Sequence, residues 1–574
     1  MGQTHRSSAI SADNPLVKMA LSLAQNCVPG NFSPSVYGAS VLGLEANLVT
    51  NYSASAPEAV RFTSPAAELR NATFCNVTVT YTHPGQGDRI VVEAWLPSSL
   101  SSSSSSSSAP DGGWNERFLA VGGGGYAAGC IPLSYGAMNG ALADGYATVT
   151  TDAGLGSSED PTPWALLSPG NVDLYGLQNL AYVSLYDQAV IGKSLVKSFY
   201  GRDPAYSYWT GCSQGGRQGL ALAQRYPGLY DGIVAGAPAI NWTRLFAHIH
   251  WPQQVMNELG AYPYPCEFDA IVKAAVSACD GADGVVDGVI SDAGACLDAF
   301  DPFSLVGTQM ICPQADGADK TISETAAVVV NATWHGVVTA DGESIYPGIL
   351  PGADLTGNLQ GLGGIVGTSC DADGCAEAPV ILGITWFQLF LAKDANFPLG
   401  NMTRERFDAL VHLGEQQYQS MLDTADPDLR AFKAAGGKMV SFHGLIDNVI
   451  PPTGIAAYYD AVAGVTPGIR DFYRHFEAPG LAHCYGGASG PPTGLFSQLR
   501  DWVENGAAPP ERTPVRVTVV VVDEEEAATK TTTTTTTTHE RVLCAYPQTA
   551  ALDGGCGDAS RAECWSCAGE AWVS

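Results

Sequence analysis

The chain is short of cations. Lys and Arg number 28 against 57 Asp and Glu, a formal net charge of −29 over 574 residues. Charged residues make up 15%, against about 25% in a typical domain, and the deficit falls on Lys and Arg. Nucleic-acid binding needs clustered cations to neutralise phosphates, and docking on anionic lipid needs them too, so neither is expected. No apolar run reaches the roughly 18 residues of a membrane span. Gly at 65 and Pro at 35 are too few for a disordered or collagen-like chain, while 45% hydrophobic residues suit an ordinary globular core. Residues 1–26 hold no signal-peptide-like apolar stretch of about 7–15 residues. Gly2 opens no myristoylation site, because Arg6 stands where Ser or Thr is required.

What the chain does have points to an oxidising compartment. Its length suggests about three or four domains and is ample for one large core, so disulfides are not needed to hold the fold. Yet 15 cysteines are present, too many for a reducing cytosol. Glycosylation sequons begin at Asn31, Asn51, Asn71, Asn76, Asn241, Asn331 and Asn401. Together these favour secretion. With no leader visible, the expectation is a misplaced or truncated start, or unconventional export.

Two homopolymer tracts, Ser at 101–108 and Thr at 531–538, are polar and read as surface-loop insertions. Between Arg89 and Thr150, apolar runs alternate with glycines and read as buried strands. A helix at about 177–198 follows. Then come a strand from Tyr206, a Gly-rich turn at 211–216, a helix at about 215–225 and the strand Gly232–Gly236. Strand, helix and strand on short connections imply a parallel sheet. Residues 240–435 break that rhythm, which returns at Lys438–His443 and Phe472–Phe476. The expectation is an α/β core of residues 1–239 and 436–574, with a domain of residues 240–435 inserted into it.

Gly211-Cys212-Ser213-Gln214-Gly215 fits G-x-S-x-G at a strand-to-helix turn. The turn exposes the serine hydroxyl, crowds its flanks so that glycine is required there, and aims a helix N-terminus at a developing oxyanion. In α/β-hydrolase folds the partners follow in the order acid, then histidine. Asp447 lies directly after the strand ending at His443, and His483 lies in a loop soon after the next strand. Catalytic side chains of open α/β sheets gather at such strand ends. Ser213, Asp447 and His483 are therefore the candidate nucleophile, orienting acid and base. Turn-capping and loop roles compete for Asp447 and His483, and His443 is the strongest rival base. Cys212 precedes the serine and Cys484 follows the histidine. A bridge between them would tie the nucleophile loop to the base loop.

With Gly211–Gly219, Asp231–Pro238 and Pro479–Cys484 beside this Cys-Ser / Asp / His-Cys arrangement, the chain resembles the tannase and feruloyl esterase family. The resemblance runs from about Cys27 to the C-terminal cysteines, excluding the Ser and Thr tracts. It implies an α/β-hydrolase fold with a lid at 240–435, and a secreted serine esterase. The substrates would be feruloyl or coumaroyl esters of plant cell-wall polysaccharide, or galloyl esters. The stretch Gln214–Gln218 leans to the feruloyl branch. It also implies the amides of Gly125 and Gln214 as oxyanion donors, Gly125 lying in the run Gly122–Gly125.

The segment from Cys279 to Val289 spaces Asp280, Asp283 and Asp287 among glycines. Composition leaves it open between a metal-free turn and a hard-cation site. The resemblance implies structural calcium on those aspartates and the carbonyls of Val285 and Val289, with Cys279–Cys296 closing the loop. It further implies Cys27–Cys75 and one bridge within Cys544, Cys556, Cys564 and Cys567. Cys370 and Cys375 are close enough to pair. Cys130, Cys266 and Cys312 are left unassigned, and the odd total leaves at least one thiol free. Trp334, Trp386, Phe387 and Phe390 are candidates to face a phenolic ring, or else plain core aromatics. A peptidase on the same fold and a non-catalytic secreted binding protein are the other classes left open.

Overall fold

The computed structural model describes residues 23–100, 113–315, 317–359, 363–371, 374–523 and 533–569. The serine run lies outside them, as do Thr531 and Thr532.

Among the described residues, one sheet of nine strands organises the molecule. Its strands are β1 (Ser40–Ala56), β2 (Ala67–Thr82), β3 (Ile90–Pro97), β4 (Arg117–Val121), β5 (Ala147–Thr151), β6 (Tyr206–Cys212), β7 (Gly232–Gly236), β8 (Lys438–Gly444) and β9 (Tyr473–Ala478). Their spatial order is β1-β2-β3-β5-β4-β6-β7-β8-β9. From β5 to β9 every pairing is parallel, while β1, β2 and β3 join antiparallel. The central strands are largely buried, β5 and β7 along their whole length. That matches a parallel sheet covered by helices on both faces. The α/β-hydrolase fold is thus the observed architecture.

Helices α1 (Pro132–Ala143), α2 (Ser184–Tyr200) and α3 (Gln214–Arg225) follow β4, β5 and β6. β5 lies on one side of β4 and β6 on the other, so the chain switches direction at β4. In open α/β sheets the crevice at such a switch, outside the carboxyl ends, is where ligands bind.

Between β7 and β8 the chain adds no strand to this sheet. It forms α4 (Trp242–Leu259), α5 (Pro265–Cys279), α6 (Glu324–His335), α7 (Arg404–Leu422) and short two-stranded ribbons. Their buried side chains make one cluster with Tyr126, Ile446 and Ile450, which sit on loops at the carboxyl end of the main sheet. Leu429 and Phe432 belong instead to the cluster beneath the sheet.

After β9 come α9 (Leu495–Asn505), with α8 (Pro452–Val465) before it, and a long hairpin of β10 (Arg512–Asp523) and β11 (Thr533–Cys544). The threonine run therefore departs from the loop expected. Thr533–Thr538 pair antiparallel with β10, because β-branched residues favour extended backbone and the partner is a valine-rich strand.

Seven disulfides close the described chain: Cys27–Cys75, Cys212–Cys484, Cys266–Cys312, Cys279–Cys296, Cys370–Cys375, Cys544–Cys567 and Cys556–Cys564. The C-terminal four thus make two bridges rather than one, and Cys312 finds its partner far upstream. Cys130 is the free, buried thiol.

Candidate active site

Ser213 occupies the turn between β6 and α3 with φ 61° and ψ −120°, a conformation L-residues rarely adopt. The strain is held by neighbours on both sides. Ser213 N donates to Gly236 O at 3.0 Å, and Ser213 O accepts from Ala239 N at 3.1 Å. Glycine is required at 211 for space: a Cβ there would lie 2.6–2.7 Å from the Gly215 backbone.

The loop after β4 packs against this turn. Gly215 N donates to Gly123 O at 3.1 Å, and Gly123 N donates to Gln218 Oε1 at 3.0 Å. Gln218 Nε2 donates to Ala128 O at 2.9 Å, so one buried amide of α3 clamps both ends of the glycine loop. Gly125 has φ +53°, and a Cβ on it would meet the Glu159 side chain at 3.1 Å. Among the described residues the amides of Gly124, Gly125 and Gln214 donate to no protein acceptor. The amides of the two expected oxyanion donors are thus unengaged by protein acceptors.

Asp447 is fully buried. Its Oδ1 accepts from the amides of Val449 at 2.9 Å and Ile450 at 2.8 Å. Its Oδ2 lies 2.8 Å from His483 Nδ1. Burial alone would raise this carboxyl, but His483 and the hydrogen bonds from His443 and His483 hold it well below the usual carboxylate range. His483 has a side chain 19% exposed, and His483 N donates to Asn448 Oδ1 at 3.3 Å. With Nδ1 on the carboxylate, Nε2 is the nitrogen left for chemistry. The rival base His443 has no exposed surface, which removes it from contact with any substrate. The Cys212–Cys484 bridge spans 272 residues of sequence with a Cα separation of 6.0 Å. It covalently joins the residues flanking Ser213 and His483.

A cavity of about 280 Å³ is lined by Tyr126, which follows Gly125, and by Val449, whose amide donates to Asp447; Ser213, Asp447 and His483 are not among its lining residues. Tyr126, Ile249, Ile365, Leu382 and Val449 make its walls, and Glu159 and Asp160 bring carboxylates to it. None of the four aromatics expected to face a substrate ring lines it. Trp334, Trp386, Phe387 and Phe390 are at most 1% exposed and pack in the helical cluster instead. Tyr126 is the ring that reaches the cavity. It stacks on Phe246 with centroids 5.0 Å apart and donates to Leu382 O at 3.1 Å. Arg217, fully buried on α3, donates to Leu422 O at 2.9 Å and lies 4.9 Å over Trp242, tying the nucleophile helix to the helical stretch.

The acidic loop packs against the segments that carry Asp447 and His483: Val289 lies against Gly480, and Ile290 clusters with Leu445. Asp280 accepts the amides of Asp287, Gly288 and Val289 at 2.9–3.2 Å, and Asp283 accepts that of Val285 at 2.9 Å. Arg541 of β11 enters the loop, 3.0 Å from Asp283 and 2.6 Å from Asp287. Among the described residues no three His, Cys, Asp or Glu side chains converge as a metal cluster. Asp283 and Asp287 thus share one guanidinium, while Asp280 is engaged by backbone amides. Asp287 Oδ2 is buried with Arg541 Nη2 as its partner at 2.6 Å. All-oxygen donors suit a hard divalent ion.

A family model described as tannase and feruloyl esterase matches residues 106–568. The chain is 36% identical over 514 residues to a probable feruloyl esterase of Arthroderma benhamiae, covering 88% of this chain and 87% of that one. It is 30% identical over 482 residues to a tannase of Aspergillus oryzae, covering 76% and 78%. Among solved structures, the tannin acyl hydrolase of Aspergillus niger superposes with a TM-score of 0.77 at 28% identity, covering 96% of this chain and 94% of that one.

Proposed function

The chain belongs to the tannase and feruloyl esterase family and is a carboxylic ester hydrolase; from that premise we propose that it cleaves feruloyl or coumaroyl esters through a covalent acyl-enzyme. The observation that carries this is the 2.8 Å contact of His483 with buried Asp447, bonded through Cys484–Cys212 to the strained turn of Ser213.

Ser213 Oγ attacks the ester carbonyl as His483 Nε2 takes its proton. The amides of Gly125 and Gln214 receive the oxyanion. Collapse expels the alcohol, which takes the proton back from His483. Water, activated by the same nitrogen, then releases the acid. Asp447 fixes the His483 tautomer and balances the imidazolium. That cavity takes the acyl group, its aliphatic walls and Tyr126 fitting a flat ring, with Glu159 and Asp160 placed to accept hydrogen bonds from phenolic hydroxyls. The stretch from 240 to 435 serves as the lid over this pocket. Galloyl esters are the second reading, favoured by the tannase relative and the tannin acyl hydrolase superposition.

Secretion fits the seven disulfides and the exposed sequons at Asn31, Asn51, Asn71 and Asn401. No helix among the described residues is long and apolar enough to cross a membrane. Calcium would sit on Asp280, Asp283, Asp287 and the carbonyls of Val285 and Val289, stiffening the loop without touching the reaction. EDTA should then lower the melting temperature while initial rates at 25 °C hold. An unchanged melt would contradict the site.

The decisive comparison is hydrolysis of methyl ferulate, methyl gallate and an acetyl ester by wild type and Ser213→Ala. Methyl ferulate should be fastest, and Ser213→Ala should lose about 10⁴-fold or more in kcat. Equal rates in the two proteins would end the mechanism. Preference for methyl gallate would move the assignment to the second reading.

A further inference from the structure

Behind Asp447 the sheet carries buried polar side chains that the hydrolytic steps leave unused. Ser441 and His443 stand on one face of β8, and His475 pairs with Ser441 from β9. Ser441 Oγ lies 2.8 Å from His475 Nδ1 and 2.9 Å from the Tyr473 hydroxyl. None of the four is more than 1% exposed.

His443 Nε2 lies 2.9 Å from Asp447 Oδ2 and 3.0 Å from the carbonyl oxygen of Ile450. Both partners can only accept, since Asp447 is held ionised, so Nε2 must carry a proton. The oxygen it meets is the one that receives His483 Nδ1 at 2.8 Å. Asp447 thus has two histidines on Oδ2 and two amides on Oδ1. His443 Nδ1 and His475 Nε2 are buried without partners among the described residues. His443 therefore has its one protein attachment through Nε2.

We infer that His443 is a positioning residue for the hydrolysis proposed above: its Nε2–H fixes the Asp447 carboxylate against His483 and takes up part of its charge. Two consequences follow from sharing one oxygen. The carboxylate cannot rotate away without losing a buried hydrogen bond to a charged group, which is among the costlier bonds to break. The negative charge left to face His483 is also smaller, because the His443 Nε2–H draws on the same oxygen. The other groups facing this carboxylate are His248 from α4 and Tyr346 from the helical stretch, both buried; His475 faces His443 from β9. His248 is held neutral by burial, its pKa pushed down to about 3, and Tyr346 is held neutral with its hydroxyl pushed up by the same cause. Neither supplies a charge that changes with pH near neutrality.

The test compares His443→Gln with His443→Asn. A Gln amide nitrogen reaches roughly where Nε2 sits, whereas an Asn amide stops short of Asp447. The two are matched in polarity, and a melting curve establishes that each is folded. The readout is the second-order rate at which a fluorophosphonate labels Ser213, followed from pH 4 to 9. This depends on the triad and not on which ester is preferred. His443→Gln should label within about threefold of wild type with the same acidic limb. His443→Asn should label about tenfold or more slowly, with the acidic limb displaced to higher pH. Folded variants that match each other in rate and in acidic limb would overturn the role of His443. A wild type unlabelled at Ser213 would overturn the reading of the site itself.

Discussion

The carboxyl end of the main sheet and the helical stretch between β7 and β8 solve different problems by different means. At the sheet end, position is enforced through backbone and covalent bonds. Ser213 at φ 61°, Cys484 at φ 65° and Gly125 at φ 53° all take left-handed conformations, and a disulfide joins two of these loops. Such strain persists only where the surroundings over-determine it, and it gathers at functional sites. The helical stretch shows the reverse economy. Trp386, Phe387, Phe390 and Phe246 interlock as a close-packed cluster, the first three on a stretch of wider, π-type helix (Trp386–Ala392). Eight of the thirteen residues lining the cavity come from the helical stretch, and apart from Thr385 they are aliphatic or glycine. One region holds reacting atoms still. The other supplies a wall, and its aromatics are spent on holding that wall up.

The comparison can be broken most forcefully at Trp386. Truncation to Ala deletes a fully buried side chain and should cost about 3–5 kcal/mol of stability. Below the melting temperature KM for methyl ferulate should change little. A large rise in KM with an unchanged melt would mean that the aromatic cluster touches substrate after all. The double substitution Cys212→Ser with Cys484→Ser tests the opposite region. It should cost about 2–4 kcal/mol and, unlike Trp386→Ala, lower kcat in protein that is still folded. Folded protein with wild-type kcat would show that the strained turns hold position without the bridge. The smallest effect belongs to the seam. Ile365→Ala enlarges the cavity and should lower kcat/KM for methyl ferulate about tenfold. It should spare an acetyl ester, whose acyl group is too small to reach that wall.

These outcomes mirror what could be read from the sequence. The sheet end was legible because backbone strain leaves marks: glycines spaced around Ser213, and cysteines beside the serine and the histidine. The order of Ser213, Asp447 and His483 followed from strands the hydrophobic pattern already showed. The pocket was not legible. Nothing in Trp386 or Phe390 distinguishes a ring facing substrate from one facing another ring, because that depends on tertiary packing. Gln218 and Arg217 were hidden for the same reason, since a polar residue on a helix reads as solvated until its buried partners are known. Arg541 lies some 250 residues from the acidic loop it enters, and no local pattern connects them. The threonine run was misread because its polarity hid its preference for extended backbone.

The central claim is that Ser213 carries the acyl group during turnover. Rapid quenching of the enzyme with p-nitrophenyl acetate in acid, followed by peptide mass analysis, tests it directly. The account predicts one acetyl group on the peptide holding Ser213, lost on standing in buffer and absent in Ser213→Ala. Turnover that leaves that peptide unmodified, or an acetyl group that persists there in the Ser213→Ala variant, would contradict it.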